Sequence, residues 1–186
     1  MVAKQSPECD AGWKAPDFEL PGVDGKNHRL GDLRGPKGTL IMFICNHCPY
    51  VIAVLDRIIR DARELRDHGI TSVAIMSNDP RAYAEDSFEN MQAIAAEKEF
   101  PFPYLLDESQ AVAKAYEAAC TPDFFGFNFD LELHYRGRLD ESRTSAVAGA
   151  RRDLFEAMTE IARSGTGPAD QIASIGCSIK WREDQD

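Results

Sequence analysis

The stretch TLIMFICNHCPYV, residues 39–51, decides the reading of this chain. Its first half, Thr39 to Cys45, is a near-continuous apolar run, as expected of a central strand covered on both faces. The second half breaks into Asn46, a good turn former, and then Pro49. Proline is favoured at the first position of a helix, where its missing N–H has no partner to lose. Beyond it Val51, Val54, Leu55, Ile58, Ala62 and Leu65 recur at three- and four-residue steps, the spacing of one helix face. Gly69 supplies the stop. The segment therefore reads as strand, turn and helix, with two cysteines in the turn.

Working outward, Ile70 to Ser77 is a second buried strand. Asp79-Pro80 then opens an acidic helix whose apolar stripe runs through Tyr83, Phe88, Met91, Ile94 and Ala95. The charges at Glu85, Asp86 and Glu89 read as its solvated face. Phe102 to Leu106 forms a third strand, and Gln110 to Ala119 a short helix with Val112, Ala115, Tyr116 and Ala119 inward. Phe124 to Phe129 and Leu131 to Tyr135 read as two antiparallel strands around Asp130. A last helix carries Leu154, Phe155, Met158 and Ile161 and ends at Gly165. Towards the amino end, Ala15 to Leu33 alternates short apolar pieces with the turn signals Pro21-Gly22 and Asp24-Gly25, which predicts an appended hairpin. The order implies an α/β fold: a mixed central sheet flanked by helices, with an N-terminal β-hairpin extension. Residues 1–12 are expected to be a flexible arm and 13–165 the domain. Residues 166–186 make a tail, polar apart from Ile172, Ile175, Ile179 and Trp181.

Composition narrows the function. The chain has 186 residues, 44% apolar and 28% charged, which suits one globular α/β domain. A net charge of -10 argues against nucleic acid or an anionic membrane as partner, since phosphate needs a basic surface. The longest apolar runs stop well short of a membrane span. Met1 to Asp10 hold no basic region followed by an apolar stretch, so no secretory signal is read and the cytoplasm is the expected location. The five cysteines, Cys9, Cys45, Cys48, Cys120 and Cys177, are odd in number and not spaced as a disulfide framework. In a reducing compartment a close cysteine pair is more often catalytic or metal-binding than structural.

Active sites of such sheets lie at the carboxyl ends of the strands, where Cys45 and Cys48 fall. Two cysteines three apart in a turn can come within disulfide range. Pro49 makes Cys48 the expected N-cap, with its sulfur at the positive end of the helix dipole, which stabilises a thiolate. His47, if protonated, would act in the same direction. Cys48 is thus the expected nucleophile and Cys45 its partner. Two other readings stay open: a pair of free thiols in a buried corner, and a zinc site. For zinc, Cys45, His47 and Cys48 offer ligands, but no second Cys-x-x-Cys or His-x-x-x-His supplies the rest, and no metal or other cofactor is expected. His28, His68 and His134 have no partners at metal or triad spacing.

The chain resembles the thioredoxin-like superfamily, on its peroxiredoxin-related branch (alkyl hydroperoxide reductase / thiol-specific antioxidant type). The similarity runs through Ala15-Pro16-Asp17-Phe18-Glu19-Leu20, Asn46-His47-Cys48-Pro49-Tyr50-Val51, Leu106-Asp107-Glu108-Ser109, Thr121-Pro122-Asp123 and Tyr135-Arg136-Gly137-Arg138. It is similar above all to peroxiredoxin-like proteins with an Asn-x-Cys-Pro turn and a Gly-Cys-Ser-Ile-Lys-Trp tail, here Gly176 to Trp181. The resemblance implies a thioredoxin-like fold in which Thr121-Pro122 is a cis-proline loop facing the cysteine turn. Thr121 would then offer its backbone to an extended thiol-bearing substrate. It also puts the reverse cysteine order, with Cys45 leading, into view.

Two departures bear on activity. Peroxiredoxins share a Pro-x-x-x-Thr/Ser-x-x-Cys segment; counting back three and seven gives Cys45 and Ile41 from Cys48, or Met42 and Gly38 from Cys45. Thioredoxins have a tryptophan before the first cysteine and a buried acid on the preceding strand, whereas this chain has Ile44 and no acid between Thr39 and Cys45. The expected activity is therefore thiol–disulfide exchange by the Cys45/Cys48 pair, tuned by His47 and Pro49, with Thr121 and Pro122 docking substrate. Its partners would be a disulfide-bearing protein or small molecule and a dithiol reductant. A thiol peroxidase, or a non-enzymatic binding or metal-handling module, are the alternatives. Cys120 and Cys177 are possible extra redox thiols, each with packing as its plainer role.

Overall fold

The computed structural model describes residues 3–81 and 83–182; Met1, Val2, Ala82 and residues 183–186 lie outside it. Along the chain, β1 (Ala3–Gln5) precedes the hairpin β2 (Glu19–Pro21) and β3 (Asn27–Arg29), and α1 (Leu30–Leu33) follows. Then come β4 (Gly38–Phe43), α2 (Pro49–Ile52), α3 (Leu55–Asp67), β5 (Ile70–Met76), α4 (Phe88–Glu97) and β6 (Tyr104–Leu106). The rest is α5 (Ala111–Ala115), β7 (Cys120–Thr121), β8 (Asp123–Asn128), β9 (Leu133–Arg136), α6 (Asp153–Ser164) and β10 (Ile175–Ser178).

The central sheet has the order β6-β5-β4-β8-β9. Strand β4 pairs parallel with β5 and antiparallel with β8, so the sheet is mixed. Side chains alternate across a strand, and β4 uses both faces. Leu40 and Met42 join the cluster built with Ile58, Ala62 and Leu65 of α3 and Leu154, Met158 and Ile161 of α6. Ile41 and Phe43 face the opposite cluster with Leu30, Leu33, Tyr116, Phe125 and Phe127. This two-sided burial is why the run reads without polar alternation. It also leaves the cysteine turn at the carboxyl end of a strand buried along its whole length.

The structure departs from the expected elements where local sequence competes with tertiary contacts. The helix after Pro49 is two pieces, broken at Val54, whose backbone is at φ -120 and ψ 0. Val51, Ile52 and Val54 are β-branched and crowd a helical turn. The acidic helix begins at Phe88, not at Pro80, because the Ser87 hydroxyl accepts the Asn90 N–H and caps it. Residues Ala84–Asp86 form a separate 3-10 turn, which turns Asp86 away from solvent. Helix α5 stops at Ala115, and Ala113 and Tyr116, not Ala115, face the core.

Part of the expected arm and tail is also structured. β1 pairs antiparallel with β10, which pairs with β7, in a second sheet of order β1-β10-β7. Ser6 and Ser174 lock this pairing: the Ser6 N–H donates to Ser174 O, and the Ser174 N–H donates to Ser6 Oγ, both at 2.9 Å. None of the helices among the described residues is long and apolar enough to cross a membrane.

Candidate active site

Strand β4 ends against β5 with Ile44 N–H on Ile75 O, and the chain then turns through Cys45 to His47. Cys48 is the N-cap of α2, with Pro49 in the first turn. Its carbonyl accepts the Val51 and Ile52 N–H groups. All five cysteines are free thiols. Cys45 is 2% and Cys48 0% exposed, so the pair is sealed from bulk water.

The Thr121–Pro122 peptide bond is cis and lies against this pair. Thr121 Oγ1 is 3.3 Å from Cys45 Sγ, and Cys48 Sγ is 3.1 Å from the Thr121 carbonyl, to which the thiol donates. As a thiolate, Cys48 instead accepts hydrogen bonds, from the Cys45 thiol first and then from the Cys177 thiol and the Val51 and Cys177 N–H groups. Against the cost of burial, these hold its pKa down at about 5. Cys45 is pushed well up, because it donates to Cys48, is buried and feels the Asp86 charge. The polarity of the pair follows: Thr121 hydroxyl to Cys45 thiol to Cys48 thiolate.

Asp86 is the residue that sequence reasoning misplaced. It is not on a solvated face but fully buried beneath the cysteine turn. Its Oδ1 accepts the Asn46 N–H at 2.8 Å, and its Oδ2 lies 2.7 Å from His47 Nδ1 and accepts Asn78 Nδ2–H at 2.8 Å. Asn46 is fixed further by Glu85 O and the Tyr104 hydroxyl. The His47 ring stacks on Tyr83 at 3.9 Å between centroids. The strand before Cys45 carries no acid, and the carboxylate arrives instead from the 3-10 turn. The signal available was the Ser87-x-x-Asn90 cap, which places Asp86 ahead of the helix.

Cys45, His47 and Asp86 bring three potential metal-donor atoms within 4.8 Å of one another. His47 Nδ1 and Asp86 Oδ2 hold each other at 2.7 Å, whereas His47 Nε2 is buried with no hydrogen-bond partner among the described residues. Cys120, on β7, is buried and its thiol donates to Pro122 O at 3.4 Å; burial pushes its pKa well up, which makes it a poor nucleophile. Cys177 lies on β10 opposite Thr121, in the same cluster as Cys45 and Cys48. The edge at Thr121, expected to be open to substrate, is thus taken by the chain's own tail. Beside it a cavity of about 160 Å³ is lined by Tyr50, Val54, Pro122, Phe124 and Ile175 among others.

The sequence profile of the AhpC/TSA family matches residues 11–139. An uncharacterized conserved protein from Geobacillus kaustophilus is 46% identical, with a TM-score of 0.93 over 99% of this chain and 98% of its own. A hypothetical protein from Sinorhizobium meliloti 1021 is 36% identical, with a TM-score of 0.89 over 96% and 98%. The thioredoxin domain of a thiol-disulfide oxidoreductase from Bacteroides vulgatus shares the fold at 18% identity, with a TM-score of 0.57 over 72% and 89%. No curated protein matches the chain.

Proposed function

The chain belongs to the AhpC/TSA family of thioredoxin-like proteins, and we propose that it is a thiol–disulfide oxidoreductase in which Cys48 leads and Cys45 resolves. The observation that carries the reading is the Cys48 sulfur at the amino end of α2, 3.1 Å from the Thr121 carbonyl at the cis Thr121–Pro122 bond, with the Cys45 sulfur 3.3 Å from Oγ1 of the same threonine. A thiolate placed there is both formed at neutral pH and next to the thiol that must follow it.

The Cys48 thiolate attacks one sulfur of a substrate disulfide. The substrate S–S bond breaks, a Cys48 mixed disulfide forms, and the departing sulfur leaves with the electron pair and takes a proton. Cys45 then attacks Cys48 Sγ, which releases the second substrate thiol and leaves a Cys45–Cys48 disulfide. Cys45 must lose its proton in this step, and the base assigned to it is the His47–Asp86 pair, one atom of each lying within 4.8 Å of its sulfur. A dithiol partner reverses the sequence. The substrate is a disulfide-bearing protein or small molecule.

Peroxide reduction is the second reading, favoured by the family. Against it, the hydroxyl position three before Cys48 is Cys45 itself. The test is steady-state turnover of the purified protein with a small disulfide and with hydrogen peroxide, side by side, under one dithiol reductant. Disulfide turnover abolished by Cys48→Ser, with little peroxide consumption, supports the proposal; faster peroxide turnover overturns it. Metal analysis of the same preparation tests the Cys45, His47 and Asp86 cluster, and one bound equivalent that blocks both activities would favour the metal-handling reading.

A further inference from the structure

Strand β10 lies where an extended substrate would lie. It runs antiparallel along the residues before the cis proline, with Cys177 opposite Thr121 and Ser178 opposite Cys120. The approach is as close as backbones allow: a Cβ added at Gly176 would sit 2.1 Å from Thr121 O. Both flanks are tied down. The Ser174 hydroxyl donates to Pro122 O at 2.8 Å, and on the far side the Lys180 N–H donates to Asn78 Oδ1 at 2.9 Å. The strand therefore brings a thiol to Cys48 without any swing of the tail. Cys177 is 3% exposed and hydrogen-bonds with Cys48. Cys48 thus stands between two thiols, Cys45 from its own turn and Cys177 from the opposite strand.

We propose that Cys177 is a third redox-active thiol and β10 an internal substrate, so that Cys48 exchanges its disulfide between Cys45 and Cys177. The proposal rests on the thiol–disulfide reading of the Cys45/Cys48 pair. In the exchange the Cys177 sulfur attacks Cys48 Sγ, the Cys45–Cys48 bond breaks and a Cys48–Cys177 bond forms. The electron pair leaves on Cys45, which takes the proton that Cys177 gives up. No net oxidation occurs, and the oxidising equivalent is the one delivered by the substrate disulfide. Cys120 is left out of the exchange: its thiol donates to Pro122 O, two residues on, at 3.4 Å.

The role is also mechanistic: with Cys45 absent, Cys177 can resolve a mixed disulfide on Cys48. Held beside the target, it reacts at a high effective concentration. The experiment treats the full-length chain with oxidised glutathione, quenches in acid, blocks free thiols with N-ethylmaleimide and maps disulfides by peptide mass. Wild type should show Cys45–Cys48 with a minor Cys48–Cys177 species. Cys45→Ser should show Cys48–Cys177 and a glutathione adduct on Cys48 about tenfold or more shorter-lived than in Cys45→Ser/Cys177→Ser. Cys45→Ser/Cys177→Ala repeats the comparison in case serine is poorly tolerated in the buried strand. A persistent adduct in Cys45→Ser, with Cys177 alkylated, overturns this inference while a wild-type Cys45–Cys48 link leaves the parent reading standing. If Cys48 is never oxidised in any of these proteins, both fall together.

Discussion

Replacing Cys45 by alanine removes the foremost donor to the Cys48 thiolate and should raise its pKa measurably. The Cys48 thiol falls from an ordinary 9.0 to about 5, which at about 1.4 kcal/mol per pH unit is roughly 5 kcal/mol in favour of the thiolate. That total is spread over the Cys45 and Cys177 thiols and two backbone N–H groups, and is opposed by burial. One hydrogen bond to a charged group is worth about 1.5–3 kcal/mol. Losing it should therefore move the Cys48 midpoint up by about 1–2 pH units, to roughly 6–7. Cys45→Ser keeps an O–H donor and should stay nearer the wild-type value. The assay is the ultraviolet absorbance of the thiolate across pH, with the Cys48→Ser spectrum subtracted, which needs no reagent to reach a buried sulfur. A wild-type midpoint near 9 would refute the thiolate. An alanine variant that titrates with the wild type would refute the Cys45 hydrogen bond as its main cause.

Asp86→Ala strands the Asn46 N–H, the His47 ring and the Asn78 amide. At about 1–3 kcal/mol for each buried group left unpaired, the loss should reach roughly 3–9 kcal/mol in denaturant unfolding; a loss under about 1 kcal/mol would mean the carboxylate does not hold the turn. Gly176→Ala drives a Cβ into the Thr121 carbonyl, which should cost about 1–3 kcal/mol and expose Cys48 to faster alkylation. Unchanged alkylation would contradict the close seating of β10. Stability should also depend on pH through Cys48. Between about 5 and 9.0 the unfolded chain binds a proton there that the folded chain has released, so this contribution is complete above 9, and is lost as pH falls through about 5. The stability gap between wild type and Cys48→Ala should widen across that window on raising the pH.

What the amino-acid sequence disclosed is what local physics controls. The apolar run into Cys45, the Pro49 helix start and the Gly165 stop each depend on residues within one or two turns, and each is a feature of the fold. Asp86 escaped because a run of acids looks alike on a solvated helix and in a turn folded over a site. Its partners Asn46 and His47 lie some forty residues earlier, a distance that no periodicity reports. β1 and β10 escaped for a related reason. Strands of three or four residues carry too few side chains to display alternation, and their pairing joins opposite ends of the chain. The fit of β10 depends on Gly176 having no side chain, which one-dimensional reading registers only as a loop residue.

The most direct test of the central claim is reversible formation of the Cys45–Cys48 disulfide. Purified protein is mildly oxidised, alkylated, digested and mapped by mass, and a second sample is reduced with a dithiol before alkylation. The expected result is Cys45 and Cys48 protected together after oxidation, chiefly as a linked peptide, and both alkylated after reduction, with Cys120 alkylated in each unfolded sample. Recovery of Cys45 and Cys48 as free thiols after oxidation would contradict it.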